Sequence, residues 1–112
     1  MRNIDSLKNS EFQYIYKNGK SYANKYLVMY VMDNPDGKSK LGISVSKKVG
    51  NSVIRHRVTR LIRESYRLNR HMFNSGLNII VIARATAKDK GFAEIESAFL
   101  HLTRMHKIAT NA

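Results

Sequence analysis

One basic stretch decides the fold: KKVGNSVIRHRVTRLIRESYRLNR, residues 47–70. It begins with two lysines, passes through a glycine and then keeps a helical repeat of apolar positions to its end. Eight lysines and arginines stand against one acid, Glu64, so the stretch carries +7 of the chain's net charge of +12. We therefore expect a helix from Val53 to about Arg70, capped by Asn51 or Ser52.

With 100° of rotation per residue, this helix divides into an apolar face and a basic face. The predicted apolar face comprises Ile54, Val58, Leu61, Ile62, Ser65 and Leu68. The predicted basic face comprises His56, Arg60, Arg63, Arg67 and Arg70, with Arg55 and Arg57 flanking the first turn. A solvated surface helix usually alternates acids and bases as i,i+4 pairs, and this one does not. Guanidinium groups in a row suit the repeating phosphates of a nucleic acid, so we prefer this interpretation to a merely solvated face.

Two lysines directly precede the helix, Lys47 and Lys48. The first turn of a helix exposes backbone N–H groups that attract anions. The two ammonium groups would reinforce that attraction. This corner is therefore a second predicted phosphate contact.

The overall composition agrees with a polyanionic partner. The chain has 112 residues, 43% of them hydrophobic and 25% charged, which predicts one folded, soluble domain over residues 1–112. Its pI is near 10.2. No segment has the length of a membrane span, and polar residues follow Met1 directly, so we expect a cytoplasmic protein without a membrane partner. We also expect a monomer. The absence of cysteine excludes disulfides and thiolate metal sites.

The N-terminal part predicts one short helix. Met1–Asn9 is polar and is expected to be loosely held. The spacing of Ser10–Gln13 is that of a capping box, and Asn18-Gly19 ends the helix with a glycine in the left-handed conformation. Phe12, Ile15 and Tyr16 share one side of this helix.

Three strands and a last helix complete the prediction. Lys25–Asp33 and Leu41–Ser46 are expected to pair as an antiparallel hairpin across the turn Asn34–Gly37. Leu77–Ala83 is an apolar strand that should run parallel to the strand before it, and Gly91–Ile108 should be helical. The order α-β-β-α-β-α predicts a small two-layer α/β sandwich. The small residues Gly42, Ser44 and Ser46 either leave room for an approaching group or simply face solvent.

Catalytic chemistry has little support in the chain. The acids form no pair with the spacing of a two-metal or acid–base site. His101 and His106 are five residues apart, which is a poor spacing for a shared metal. We therefore predict no catalytic residue and no metal site in the protein.

The run Gly42–Glu64 closely resembles the signature of the protein subunit of bacterial ribonuclease P, which reads Lys-x-Gly-x-Ala-Val-x-Arg-Asn-Arg-x-Lys-Arg-x-x-Arg-Glu. The resemblance extends over nearly the whole chain, including Gly19-Lys20-Ser21 and Ile79–Arg84. The chain departs from the pattern at four positions: Ser52 replaces Ala, His56 replaces Asn, Thr59 replaces Lys, and Tyr16 stands where Phe is frequent. The changes at His56 and Thr59 remove an amide and a charge from the segment that, by this resemblance, faces RNA.

The resemblance implies a function that composition and periodicity do not show. The partner would be the ribonuclease P RNA, which is the catalyst and requires Mg²⁺, and the substrate would be precursor tRNA, cut endonucleolytically to free its mature 5′ end. It implies a ribosomal protein S5 domain 2-like fold with a left-handed β-α-β crossover, against the usual right-handed rule. The matching RNA-subunit-binding residues are Lys47, Lys48, Arg55, His56, Arg57, Arg60, Arg63 and Arg67. The matching residues for the 5′ leader are Phe12, Tyr16 and Tyr30.

Alternatives remain open from the sequence. Phe12, Tyr16 and Tyr30 could be core residues instead of a stacking platform for single-stranded bases, although the tyrosine hydroxyls favour a wet cleft. A structural RNA-binding protein, such as a ribosomal component, would share the basic helix. A DNA-binding protein that reads the major groove would need another helix before the basic one, where the sequence predicts a strand.

Overall fold

The computed structural model describes residues 6–108. Its three helices are α1 (Asn9–Asn18), α2 (Ser52–Asn69) and α3 (Phe92–Met105), and its four strands are β1 (Lys20–Ala23), β2 (Leu27–Asp33), β3 (Lys40–Ser44) and β4 (Leu77–Ala83). Short 3₁₀ turns follow α2 at Arg70–Met72 and β4 at Ala85–Ala87. The predicted α/β class is confirmed, with β1 as a strand that the prediction omitted.

The four strands form one sheet in the order β1-β2-β4-β3. β3 runs parallel to β4, as predicted, and α2 connects them. The predicted hairpin between β2 and β3 is wrong, because β4 lies between them and is antiparallel to β2. β4 is apolar on both faces and takes a central position, which leaves the shorter, glycine-containing β3 at the edge. The left-handed sense of the crossover stays a prediction.

β1 was missed because its pairing depends on one turn residue. The side-chain oxygen of Asn24 accepts hydrogen bonds from the backbone N–H groups of Tyr26 and Leu27, at 3.2 and 3.0 Å. Such a turn reverses the chain within a few residues and places Lys20–Ala23 beside β2. Four residues with little apolar alternation give no strand signal on their own.

The helices cover the two faces of the sheet unequally. α2 and α3 pack on one face, over a core that includes Leu27, Met29, Ile79, Val81 and Phe99. α1 lies on the opposite face, where Leu7, Ile15 and Ile80 form a smaller buried cluster. Because α1 is short, part of this second face stays accessible.

The start and end of α1 differ from the prediction. The cap is not Ser10–Gln13: the Glu11 carboxylate accepts a hydrogen bond from the backbone N–H of Lys8, at 2.8 Å. Gly19 has a φ of −80°, so the predicted left-handed stop is also wrong. A Cβ at Gly19 would lie 2.8 Å from the carbonyl oxygen of Ile15, so close approach explains this glycine.

The segment before α1 is also better held than expected. Leu7 is buried, and its backbone N–H donates to the carbonyl oxygen of Leu41 at 3.3 Å. Ser6 forms an isolated parallel bridge with Leu41 on the edge strand. The prediction of a loosely held Met1–Asn9 is therefore wrong from Ser6 onward, and residues 1–5 lie outside the described residues.

α2 has the predicted extent and a slightly rotated buried face. The Asn51 side chain caps it by accepting the N–H of Ile54 at 3.0 Å. Its fully buried side chains are Val58, Ile62, Ser65 and Tyr66. Leu68, which was predicted to lie on the apolar face of the helix, is 45% exposed. Tyr66 is buried because it packs against Phe73 and Phe99 across the interface with α3.

Candidate nucleic-acid interface

The outward face of α2 carries cations that the rest of the fold does not neutralise. His56, Arg60 and Arg63 are exposed, and within residues 6–108 their side chains make no hydrogen bond or ion pair. They line a groove of about 660 Å³ together with Ile43 and Val45 of the β3 edge. The geometry leaves three positive or hydrogen-bonding side chains available to an incoming anion.

The other predicted cations on α2 have partners inside the protein. Arg55 is half-buried, and its Nη1 donates to the Gly50 carbonyl oxygen at 3.2 Å. Arg67 forms an exposed ion pair with Glu64, with 2.7 Å between Nη2 and Oε1. Hydrogen bonding to Arg67, and the nearby charges of Arg67 and Arg60, lower the pKa of the Glu64 carboxyl. An exposed pair of this kind is weak, so Arg67 can exchange Glu64 for a phosphate at little cost.

Arg57 has a different environment from its neighbours on α2. Its Nη1 donates to the carbonyl oxygen of Lys90 at 2.8 Å, and its Nη2 donates to that of Lys88 at 2.5 Å. These bonds join α2 to the segment before α3. The predicted role of Arg57 as a direct RNA contact stays a prediction, and the structure gives it a second, positioning role.

Lys47 and Lys48 lie where the sequence places them, in the turn before α2, and both are exposed. The backbone N–H of Lys48 donates to the Ser46 hydroxyl at 3.3 Å, which helps to fix the turn. Val49, between this pair and the helix, is buried in the main core. The two ammonium groups therefore stand at the open end of α2 on a turn that is fixed to the core.

The three predicted leader-binding aromatics lie together on the face of the sheet that α1 covers. The ring centroids of Phe12 and Tyr16 are 6.0 Å apart, and those of Tyr16 and Tyr30 are 5.1 Å apart in an edge-on arrangement. All three are half-buried and pack on the cluster around Ile80. Each ring therefore has one side packed against the protein and another side accessible, as in residues that line a cleft.

The part of the sheet surface that lies beside these rings was not identified from the sequence. Val28, Ile82 and Ser44 are neighbours across β2, β4 and β3 and are half-buried. Burial raises the pKa of the Tyr16 hydroxyl and the neighbouring Tyr30 adds to the rise, against a hydrogen bond with Ser44. The signal for Ile82 is its position two residues after the buried Ile80, which puts it on the same face.

The aromatic cluster and the groove along α2 meet across the edge strand. A small cavity of about 180 Å³ is lined by Phe12 on one side and by Thr59 and Arg63 on the other. Thr59, Arg63 and Ile43 also line the larger groove. The space that Gly42 leaves on the sheet is filled by the ring of Phe12. The two surfaces thus form one continuous path from the aromatic rings to the cations of α2.

Two of the other three histidines, His101 and His106, are engaged elsewhere. Nδ1 of His101 lies 3.1 Å from the side-chain nitrogen of Asn24, and Nε2 of His106 lies 2.9 Å from the carbonyl oxygen of Met29. Within residues 6–108, no three histidine or acidic side chains stand close enough to hold a metal ion. None of the helices in the same range is long and apolar enough to cross a membrane.

A family model for ribonuclease P matches residues 2–107 of the chain. The chain belongs to the ribonuclease P protein family. It is 62% identical over 109 residues to the ribonuclease P protein component of Lachnoclostridium phytofermentans, covering 96% of this chain and 94% of that protein. It is 47% identical over 113 residues to that of Alkaliphilus oremlandii, covering 100% and 99%.

Solved structures of ribonuclease P proteins share the fold. The Staphylococcus aureus protein matches with a TM-score of 0.87 and 38% identity, over 96% of this chain and 99% of that chain. The Thermotoga maritima protein matches with a TM-score of 0.81 and 31% identity, over 89% and 96%. The resemblance seen in the sequence is confirmed. Family membership assigns the chain to the ribonuclease P ribonucleoprotein, a tRNA-processing assembly, with the ribonuclease P RNA as its partner.

Proposed function

We propose that this protein binds the catalytic RNA of ribonuclease P along α2 and binds the 5′ leader of precursor tRNA over the aromatic cluster. By holding both, it assists the endonucleolytic cut that frees the mature 5′ end of the tRNA. In this proposal it acts as a monomeric cytoplasmic subunit and contributes no catalytic residue. The observation that carries the proposal is the continuous path between the rings and the unpaired cations of α2.

The chemistry of the path fits a single strand that enters a folded RNA. Phosphates can be bound by Arg60 and Arg63, whose guanidinium groups form no hydrogen bond or ion pair within the described part of the chain. Bases of a flexible leader can stack on Tyr16 and Tyr30, because every base has an aromatic face and stacking needs no particular sequence. The path thus recognises an unpaired strand by charge and ring contacts together.

The protein's contribution to the reaction is electrostatic and positional. Two polyanions, the RNA subunit and the precursor, must come together, and a chain with a net charge of +12 reduces their repulsion. Fixing the leader beside the RNA also lowers the entropic cost of aligning the scissile phosphodiester. Mg²⁺ held by the RNA would supply the activated water, so hydrolysis leaves a 5′-phosphate on the tRNA.

Reconstitution tests the proposal. A bacterial ribonuclease P RNA should cleave precursor tRNA slowly at limiting Mg²⁺, and adding this protein should restore cleavage at the mature 5′ end. The protein without RNA should leave the precursor intact. Binding of the RNA without any gain in cleavage would favour a purely structural RNA-binding protein. Cleavage by the RNA-free protein at a comparable rate would contradict the proposal.

A further inference from the structure

The segment between β4 and α3, residues 84–91, is fastened to the protein at both ends. Near its start, Nη1 of Arg84 donates to the carbonyl oxygen of Asn24 at 2.8 Å, and the Thr86 hydroxyl donates to that of Lys25. Near its end, Arg57 donates to two carbonyl oxygens of the segment. Ala87 in its middle is fully buried. The backbone of this segment is therefore bonded to two other parts of the fold, the β1–β2 turn and α2.

Lysines from this segment and from the β1–β2 turn surround one aromatic ring, that of Tyr26. The ammonium groups of Lys25 and Lys90 each lie 5.6 Å from the centre of the Tyr26 ring. Lys88, two residues before Lys90, is exposed. We call Lys25, Tyr26, Lys88 and Lys90 the connector surface.

The nearby acids, Asp89 and Glu94, compensate only part of this charge. Asp89 is 81% exposed and approaches the Lys90 ammonium group only to 3.8 Å. The Glu94 carboxylate accepts a hydrogen bond from the backbone N–H of Gly91 at 2.8 Å, where it caps α3. Holding like charges together costs free energy unless an anion joins them. The arrangement is therefore suited to a polyanion.

We propose that the connector surface is a second contact for the ribonuclease P RNA subunit, on the flank of α2 that faces α3. This inference rests on the function proposed above. The partner is the RNA subunit because the surface is continuous with α2 through Arg57. Lys88 and Lys90 bind phosphates, and Arg57 is a positioning residue that holds their backbone. Lys25 and the Tyr26 ring complete the surface from the β1–β2 turn.

The test compares three variants of the full chain for affinity to the RNA subunit over a range of salt concentrations. The connector variant replaces Lys25, Lys88 and Lys90 by Gln. The matched control replaces three exposed cations elsewhere, Lys17, Lys38 and Arg104, by Gln. The third variant, Arg60→Gln with Arg63→Gln, reports on α2 itself. Circular dichroism and thermal melting check that all three are folded.

The connector variant should bind the RNA subunit roughly tenfold or more weakly at physiological salt, and its slope of log affinity against log salt should be shallower by about 2–3. The control variant should have a slope of log affinity against log salt that is closer to the wild-type slope than that of the connector variant. If the connector variant matches the control while the α2 variant is impaired, the connector proposal is wrong and the proposed function stands. If neither is impaired, both are wrong. An effect on precursor binding to the holoenzyme, without one on RNA-subunit affinity, would overturn the choice of partner.

Arg57 provides an independent check. Arg57→Lys keeps the positive charge but cannot donate to both carbonyl oxygens in the fork geometry of a guanidinium. If Arg57 positions the connector surface, hydrogen exchange of the amides in residues 84–91 should accelerate in this variant, and RNA-subunit affinity should fall. Unchanged exchange in this segment would contradict the positioning role.

Discussion

The ring of Phe12 lies directly over Gly42, so that a Cβ at position 42 would be 2.4 Å from Cζ of Phe12 and 2.9 Å from its Cε1. The same Cβ would be 3.0 Å from Cδ1 of Leu7. The glycine on the edge strand is therefore what allows α1 to place an aromatic ring directly against the sheet, on the face opposite to α2. The contact links the aromatic cluster to the cavity that borders Arg63.

Gly42→Ala should lower the free energy of unfolding by about 1–3 kcal/mol, because the added methyl group forces the Phe12 ring out of its position. Urea denaturation measures this loss. Gly91→Ala is the matched control, since a Cβ there would meet only the Glu94 carboxylate, at an ordinary 3.6 Å. It should lower stability by less than about 1 kcal/mol, which is the preference of this N-cap position for Gly over Ala. Equal effects of the two substitutions would show that the Phe12–Gly42 contact has no special weight.

Tyr30→Leu should weaken binding of leader-bearing precursor to the reconstituted holoenzyme by about 1–3 kcal/mol, through the loss of one stacking surface. Binding of mature tRNA, which lacks the leader, should not change. Tyr14→Leu is the control, because Tyr14 is on α1 but 59% exposed and lies outside the aromatic cluster. An equal loss for precursor and mature tRNA would refute the assignment of the cleft to the leader.

His106 should make stability depend on pH. Burial, assisted by the charge of Lys20, lowers the pKa of His106 below its usual 6.5, against the hydrogen bond to the Met29 carbonyl oxygen. The unfolded chain then binds a proton more readily than the folded one, so stability should fall as the pH drops below about 6.5 and through the lowered pKa. The urea midpoint at pH 5 and pH 7.5 measures this change.

His106→Gln should remove most of that difference between the two pH values, because the Gln amide can donate to Met29 without titrating. The pH range separates this effect from that of Glu11, whose pKa is lowered by hydrogen bonds from the Lys8 backbone and the Lys40 side chain. The stability that Glu11 contributes is fully present above the pKa that it has in the unfolded chain. It is lost only as the pH falls below that value and through the lowered pKa of the folded state. If His106→Gln keeps the full wild-type difference, the attribution to His106 is wrong.

The sequence was most informative where structure is local. The charge and periodicity of residues 47–70 predicted α2 and its cap, because both follow from neighbours within one or two turns. The place of β4 between β2 and β3 was not predictable in this way. Strand order depends on contacts between distant segments, and an apolar strand such as Leu77–Ala83 fits several neighbours equally well.

The candidate site shows the same division. The exposure of Arg60 and Arg63 follows from helical geometry, and the sequence predicted it. The bonds of Arg57 join residues 31 and 33 positions away, so no local pattern could distinguish this arginine from its neighbours. Phe12 was left open between core and cleft because its position depends on Gly42 in another element.

The central claim is that the outward face of α2 binds the ribonuclease P RNA. The most direct measurement is the salt dependence of RNA-subunit affinity for the wild type, for Arg60→Gln with Arg63→Gln, and for the control Lys17→Gln with Lys38→Gln. The account predicts that the α2 variant binds more weakly and that its slope is shallower by about 2, one unit for each lost phosphate contact. Affinity and slope equal to those of the control variant would contradict it.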